Sequence, residues 1–183
     1  MDVVFGINYI ESPPDGLPTY LYEFDKQFND VVFFNIITTE PKNGKTVEEK
    51  ATSGGNKIFY IYEPFFFYSD YPEMLKYENL LSTCAPYVKQ AKRIFLNDWF
   101  SVPVLEYIST KARVFFLVHL FYSGFSPNTK HFQVWEKLGF EKAETIIANS
   151  NFTEQEIISL YPEYADKVIA IPLGVDKSFW TPS

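Results

Sequence analysis

Ala143-Glu-Thr-Ile-Ile-Ala-Asn-Ser-Asn-Phe-Thr-Glu-Gln-Glu-Ile157, followed by Lys167-Val-Ile-Ala-Ile-Pro-Leu-Gly-Val-Asp176, reads as a strand, a helix and a second strand. Residues 145–148 form a short apolar run that does not alternate with polar residues, as a strand buried on both faces requires. The helix is expected over 152–161. Thr153-x-x-Glu156 has the form of a capping box at its start, and Pro162 ends it. The next apolar run, 168–171, supplies the second strand. Strands buried on both faces and joined through a helix belong to parallel sheets covered by helices.

The same alternation extends to the N-terminus. Apolar runs rich in Val, Ile and Phe occur at 3–7, 31–37, 58–62, 94–96 and 114–118. Between them, Leu17, Tyr20, Leu21, Phe24 and Phe28 share one helical face. Met74, Leu75, Tyr77, Glu78, Leu80 and Leu81 form another helical stretch, expected to end before Pro86. Shorter helices are expected at 102–108 and 132–138. The fold class is therefore α/β: a doubly wound, mostly parallel Rossmann-like sheet of about seven strands with helices on both faces. Residues 38–56 read as a loop. Residues 1–173 form one domain, and 174–183, without regular pattern, read as a linker.

Composition narrows the function. The chain has 183 residues, long enough for one ordinary domain and short for two. A net charge of −7 argues against a nucleic-acid partner, since phosphate neutralisation needs clustered Lys and Arg. With only one cysteine, Cys84, and two histidines, His119 and His131, there is no disulfide framework and no Cys-based zinc site. Cys84 reads as a small buried hydrophobe. No apolar run approaches the length of a membrane span, and MDVVFGI has no basic start of a signal peptide, so a cytoplasmic location is expected. An aromatic content of 19% implies an aromatic core.

In an open α/β sheet, ligands bind beyond the carboxyl ends of the strands, so candidate residues are those that follow each apolar run. Gly16 closes the loop after the first run and precedes a helix N-terminus, a place suited to phosphate; a plain turn glycine is the competing reading. The loop lacks the three glycines of a dinucleotide fingerprint, and no P-loop motif occurs. Ser53-Gly-Gly-Asn-Lys57 precedes a strand and so lies at the wrong end of the sheet; it reads as a flexible connector. His119 directly follows the run 112–118 and places an imidazole at a strand's carboxyl edge, where it either serves a ligand or is a satisfied structural histidine. Asp98 and Trp99 follow the run at 94–96 and either face the same cleft or, for Asp98, cap a helix. Asn149 and Ser150 sit at the corresponding cleft-edge corner after the run 145–148, with helix capping as the default role. Phe65, Phe66, Phe67 and Tyr68 form either an aromatic wall or a buried cluster. His131 opens a helix.

Taken together, the quoted C-terminal stretch and Phe179 resemble GT-B glycosyltransferases of family GT4, whose pattern is A-D-x-I-I-A-x-S-x-F-T, a helix, then K-V-x-V-I-P-N-G-V-D-x-x-x-F. Leu173 stands where the usual Asn precedes the Gly. Asp15-Gly-Leu-Pro-Thr-Tyr-Leu-Tyr-Glu-Phe24 is similar to the family's G-G-I-x-x-Y-x-x-E-L loop and first helix, with Asp15 in place of the first glycine. The resemblance implies an acceptor-side, N-terminal domain over 1–173, with 174–183 leading to a donor domain that is absent. It implies transfer of a sugar from a nucleotide sugar to an acceptor hydroxyl with retention and no metal or other cofactor. His119 would be the catalytic residue, orienting the transferred sugar; Gly16, Leu17, Asp98, Trp99 and Ser150 would bind substrate. The expected partners are a nucleotide sugar, an acceptor and a donor-domain chain, without which little activity is expected. The alternative is a stand-alone subunit or scaffold that pairs with a separate donor chain. Two E-x7-E spacings, Glu40…Glu48 and Glu136…Glu144, lack the Gly-rich surroundings of the family's glutamate pair and are set aside.

Overall fold

The computed structural model describes residues 1–7, 16–41, 43–64, 66, 76–124 and 130–172, with backbone alone at 16–19, 122, 130 and 131. Eight strands form one sheet: β1 (Asp2–Ile7), β2 (Val31–Ile37), β3 (Val47–Ala51), β4 (Lys57–Tyr62), β5 (Arg93–Asn97), β6 (Arg113–Val118), β7 (Thr145–Ala148) and β8 (Val168–Ala170). Five helices join them: α1 (Gly16–Gln27), α2 (Glu78–Gln90), α3 (Pro103–Tyr107), α4 (Lys130–Lys142) and α5 (Asn151–Leu160). The strand order is β3-β4-β2-β1-β5-β6-β7-β8, parallel throughout except that β3 runs antiparallel to β4.

The apolar runs are continuous because both faces of the sheet are buried. Val3, Phe5, Val32, Phe34, Ile36, Phe59 and Ile61 point into one core, which α2 closes with Leu80, Cys84 and Val88. Their neighbours Val4, Val31, Phe33 and Ile58 point the other way and pack with Leu21 and Phe24 of α1. Phe5, Phe34 and Phe59 stack across three strands, with centroids 5.4 and 5.3 Å apart.

Three expectations need correction. The stretch 38–56 is not all loop, because it contains the edge strand β3. Its sequence, Val-Glu-Glu-Lys-Ala, is polar because an edge strand with exposed faces needs no apolar run, and its charges discourage pairing with another chain. Helix α2 continues through Pro86. That proline is exposed, as is Ser82, whose carbonyl loses its helical partner to Pro86 and can turn to water instead. The capping box read at Thr153 does not start α5; its cap is Ser150, in the default role read for that residue, whose Oγ accepts from Thr153 N at 3.1 Å.

Ser53-Gly-Gly-Asn-Lys57 is the β3–β4 hairpin turn at the amino edge of the sheet, and it is clamped rather than loose. Asp25 of α1, buried, accepts from Thr52 Oγ1 at 2.5 Å, Gly54 N at 2.8 Å and Asn56 Nδ2 at 2.9 Å. Asn56 Nδ2 also donates to Phe28 O at 2.7 Å, and Asn56 Oδ1 accepts from Val31 N at 3.1 Å. Gly54 must be glycine, since a Cβ there would stand 2.4 Å from Asp25 O.

Candidate functional site

From β1 the chain winds outward through β2 and β4, then crosses back to β5 and winds the other way through β6, β7 and β8. Ligands in such sheets bind beyond the carboxyl ends of the strands flanking that reversal, here β1 and β5. Asn97, Asp98, His119, Asn149 and Ser150 all lie at this edge, on the ends of β5, β6 and β7.

Asn97 closes β5 with no exposed surface. Its Nδ2 donates to Phe5 O of β1 at 2.6 Å, and its Oδ1 faces His119 Nε2 at 2.9 Å. Asp98 follows with φ of 54° and ψ of 179°, a left-handed conformation rare outside glycine. Its backbone N–H donates to Leu117 O at 2.8 Å, and its Oδ1 accepts from His119 N at 2.7 Å and Leu120 N at 3.2 Å. Burial pushes the Asp98 carboxyl up to about 7; the two backbone donors pull against that shift and the charge of Glu136 adds to it.

The His119 imidazole is lowered to about 4 by burial and is therefore neutral at pH 7. Its ring lies 5.1 Å from that of Tyr20, tilted by 59°. Burial raises the Tyr20 phenol well above its ordinary value. The His119 carbonyl accepts from Asn149 Nδ2 at 2.8 Å; Asn149 Oδ1 in turn accepts from Thr153 Oγ1 at 3.0 Å, beside the Ser150 cap. The backbone and ring of His119 are thus held from the end of β5, the β7–α5 corner and α1 at once. A cleft of about 230 Å³ opens here, lined by Tyr20, Leu117, His119, Ile147, Asn149 and Pro172.

The residues singled out from sequence are placed as follows. Asp98 and His119 touch, and Ser150 adjoins them through Asn149 and Thr153. Gly16 opens α1, one turn before Tyr20, so the helix whose first turn it forms also carries the aromatic ring against His119. The Leu17 side chain, the loop 8–15 and the stretch 174–183 lie outside the described residues. Trp99 is 7% exposed, and its ring packs on Phe132 at 4.4 Å and Phe66 at 5.8 Å, in the core beneath the edge. Phe66 joins that buried cluster; Phe65, Phe67 and Tyr68 lie outside the described residues, as does the side chain of His131. Cys84 is buried, its thiol pushed up to about 12 by burial. Glu136 is buried and accepts from Ser123 N at 2.8 Å, whereas Glu144 pairs with Arg113 at the surface.

Sequence reading missed Tyr20 and Asn97 as site residues, whereas it places Asn149 at the cleft edge beside Ser150. Tyr20 belongs to the apolar stripe of α1 and reads as core. Asn97 does carry a signal, as an amide ending an otherwise apolar strand destined for full burial, where it needs partners on both its oxygen and its nitrogen.

No protein-family model matches the chain, and no curated protein matches it in sequence. Solved structures match it in fold. Sucrose-phosphate synthase from Thermosynechococcus elongatus superposes with a TM-score of 0.66 at 16% identity, over 100% of this chain and 51% of that one. HepE from Anabaena, in complex with UDP and glucose, gives 0.66 at 15% identity over 100% of this chain and 47% of its own. Trehalose 6-phosphate synthase from Burkholderia multivorans gives 0.59 at 12% identity over 97% of this chain and 50% of its own. The chain spans about half the length of these structures. Its fold is that of one half of a GT-B glycosyltransferase. No helix among the described residues is long and apolar enough to cross a membrane.

Proposed function

We propose that this chain is the acceptor-side, N-terminal half of a retaining, GT4-like glycosyltransferase that moves a sugar from a nucleotide sugar to an acceptor hydroxyl. The observation that carries the reading is the convergence of Tyr20 of α1, His119 and Asn149 on one cleft at the sheet's carboxyl edge, with buried Asp98 holding the His119 backbone, in a fold shared with HepE, which was solved with UDP and glucose. A neutral, oriented imidazole between aromatic and amide walls suits a hydroxyl-rich ligand better than an anion, for which an imidazolium would serve. His119 therefore orients or stabilises the sugar and is no nucleophile. The first turn of α1, beginning at Gly16, offers backbone N–H groups for phosphate. Residues 1–173 form this half and 174–183 lead to the donor half, which supplies the rest of the nucleotide-sugar site. We place the protein in the cytoplasm.

Stabilising a transition state requires groups on both walls of the cleft, so one wall alone turns over little. The test is a panel of nucleotide sugars titrated against the chain with and without a candidate donor-domain chain, scored for binding and for transfer. Transfer is expected only with both halves present, and His119→Ala is expected to lower it by about 100-fold, the scale of losing one oriented polar group. Efficient transfer or nucleotide-sugar hydrolysis by this chain alone refutes the reading.

A further inference from the structure

We infer that Asn97 is a positioning residue that holds His119 in its Nε2–H tautomer, so that Nδ1 is the imidazole's hydrogen-bond acceptor. Asn97 has no freedom in this contact. Its Nδ2 is committed to Phe5 O at 2.6 Å, which fixes the amide orientation and leaves Oδ1, an acceptor, opposite His119 Nε2 at 2.9 Å. An acceptor there requires a proton on Nε2, and in a neutral ring the lone pair then resides on Nδ1. The amide itself is immovable: it is fully buried and bridges the ends of β1, β5 and β6, the strands flanking the reversal in the sheet. Flipping it would set its oxygen against Phe5 O, two acceptors face to face whatever the tautomer of the ring.

The consequence, which rests on the glycosyltransferase reading, is that His119 receives a hydrogen bond from a ligand hydroxyl and donates none to it. In the neutral ring a fully ionised phosphate, which only accepts, finds no proton at Nδ1, whereas a sugar hydroxyl can donate to it.

The test needs no ligand, so it can fail independently of the nucleotide-sugar titration. Long-range 1H–15N correlation spectra of the uniformly 15N-labelled chain report which ring nitrogen carries the proton. With only two histidines, comparison with His131→Gln assigns His119. From pH 6 to 8 the expected pattern is a protonated Nε2 and an unprotonated Nδ1. Asn97→Asp places a carboxylate opposite Nε2–H, and it is expected to raise the imidazole's proton affinity at least about tenfold while keeping the proton on Nε2. If Asn97→Asp does not fold, the wild-type pattern alone decides. A wild-type Nδ1–H tautomer, or an average of both tautomers, overturns the inference. So does a folded Asn97→Asp chain whose His119 titrates as in wild type.

Discussion

Replacing Asp98 with Asn separates what its geometry does from what its charge does. Asn retains Oδ1, so the N–H groups of His119 and Leu120 at 2.7 and 3.2 Å keep their acceptor. Asn also tolerates positive φ better than most residues, which suits the φ of 54°. The ionisation is removed, and an NH2 takes the place of Oδ2, a change that does not depend on pH. In the folded chain the Asp98 carboxyl lies at about 7, whereas in the unfolded chain it returns to its ordinary value near 3.8. Below about pH 3 it is protonated in both states and costs nothing. As the pH rises through 4 towards 7, the unfolded state ionises freely while the folded state resists, so wild-type stability falls until about pH 7 and then levels. At about 1.4 kcal/mol per pH unit, the full loss is about 4 kcal/mol. Asp98→Asn is therefore expected to gain on wild type from about pH 3 upwards, by about 1 kcal/mol at pH 4.5 and about 4 kcal/mol at pH 8. Urea unfolding at a series of pH values measures the difference directly. Other groups, including His119 and Glu63, titrate in both proteins and largely cancel. A stability difference that stays constant from pH 4.5 to 8 refutes the argument, because Asp98 would then be ionised in the fold across that range. Asp98→Ala, which removes the acceptor as well, is the control: it is expected to be less stable than Asp98→Asn at every pH.

Two further substitutions test the scaffold around the site. Asp25→Ala strips three hydrogen bonds from the β3–β4 turn and orphans Gly54 N; it is expected to cost about 3 kcal/mol by urea unfolding, and a loss below about 1 kcal/mol would show that the clamp is dispensable. Ser150→Ala removes the acceptor for Thr153 N at the start of α5 and is expected to cost about 1 kcal/mol, so an unchanged urea midpoint would show that the cap contributes nothing.

The inner strands were legible because burial on both faces imposes a pattern that only buried parallel strands show. Val31–Ile37 sends Val32, Phe34 and Ile36 to one core and Val31 and Phe33 to the other, so an apolar run follows that only the buried Asn35 interrupts. The edge strand β3 was illegible for the converse reason: it buries neither face, and its pairing with β4 resides in backbone hydrogen bonds that any sequence can make. Pro86 misled because the steric rule against proline inside a helix assumes a carbonyl with nowhere else to go, and on an exposed face water is available. Lys167 of Lys167-Val-Ile-Ala reads as a surface charge before a strand. Its Nζ instead donates to Ala143 O at 3.1 Å and Glu141 O at 3.2 Å, capping the carboxyl end of α4.

The candidate site shows the same division. Placing His119 at a strand end needed only the apolar run before it, and the single imidazole after 112–118 was visible at once. What makes that imidazole specific comes from residues 22 and 99 positions earlier in the chain, Asn97 and Tyr20, and from Asn149 thirty positions later. None of the three belongs to a motif with His119. They meet it because parallel strands β5, β6 and β7 end at one edge and α1 packs beside that edge, so their proximity is a property of the sheet order. That order can be argued from alternation only as a class, since alternation does not say which strand neighbours which. Placing β5 between β1 and β6 is what lets one buried amide bond Phe5 and His119 together. The tautomer of the histidine, and with it the kind of ligand group it can meet, is thus decided by strand order.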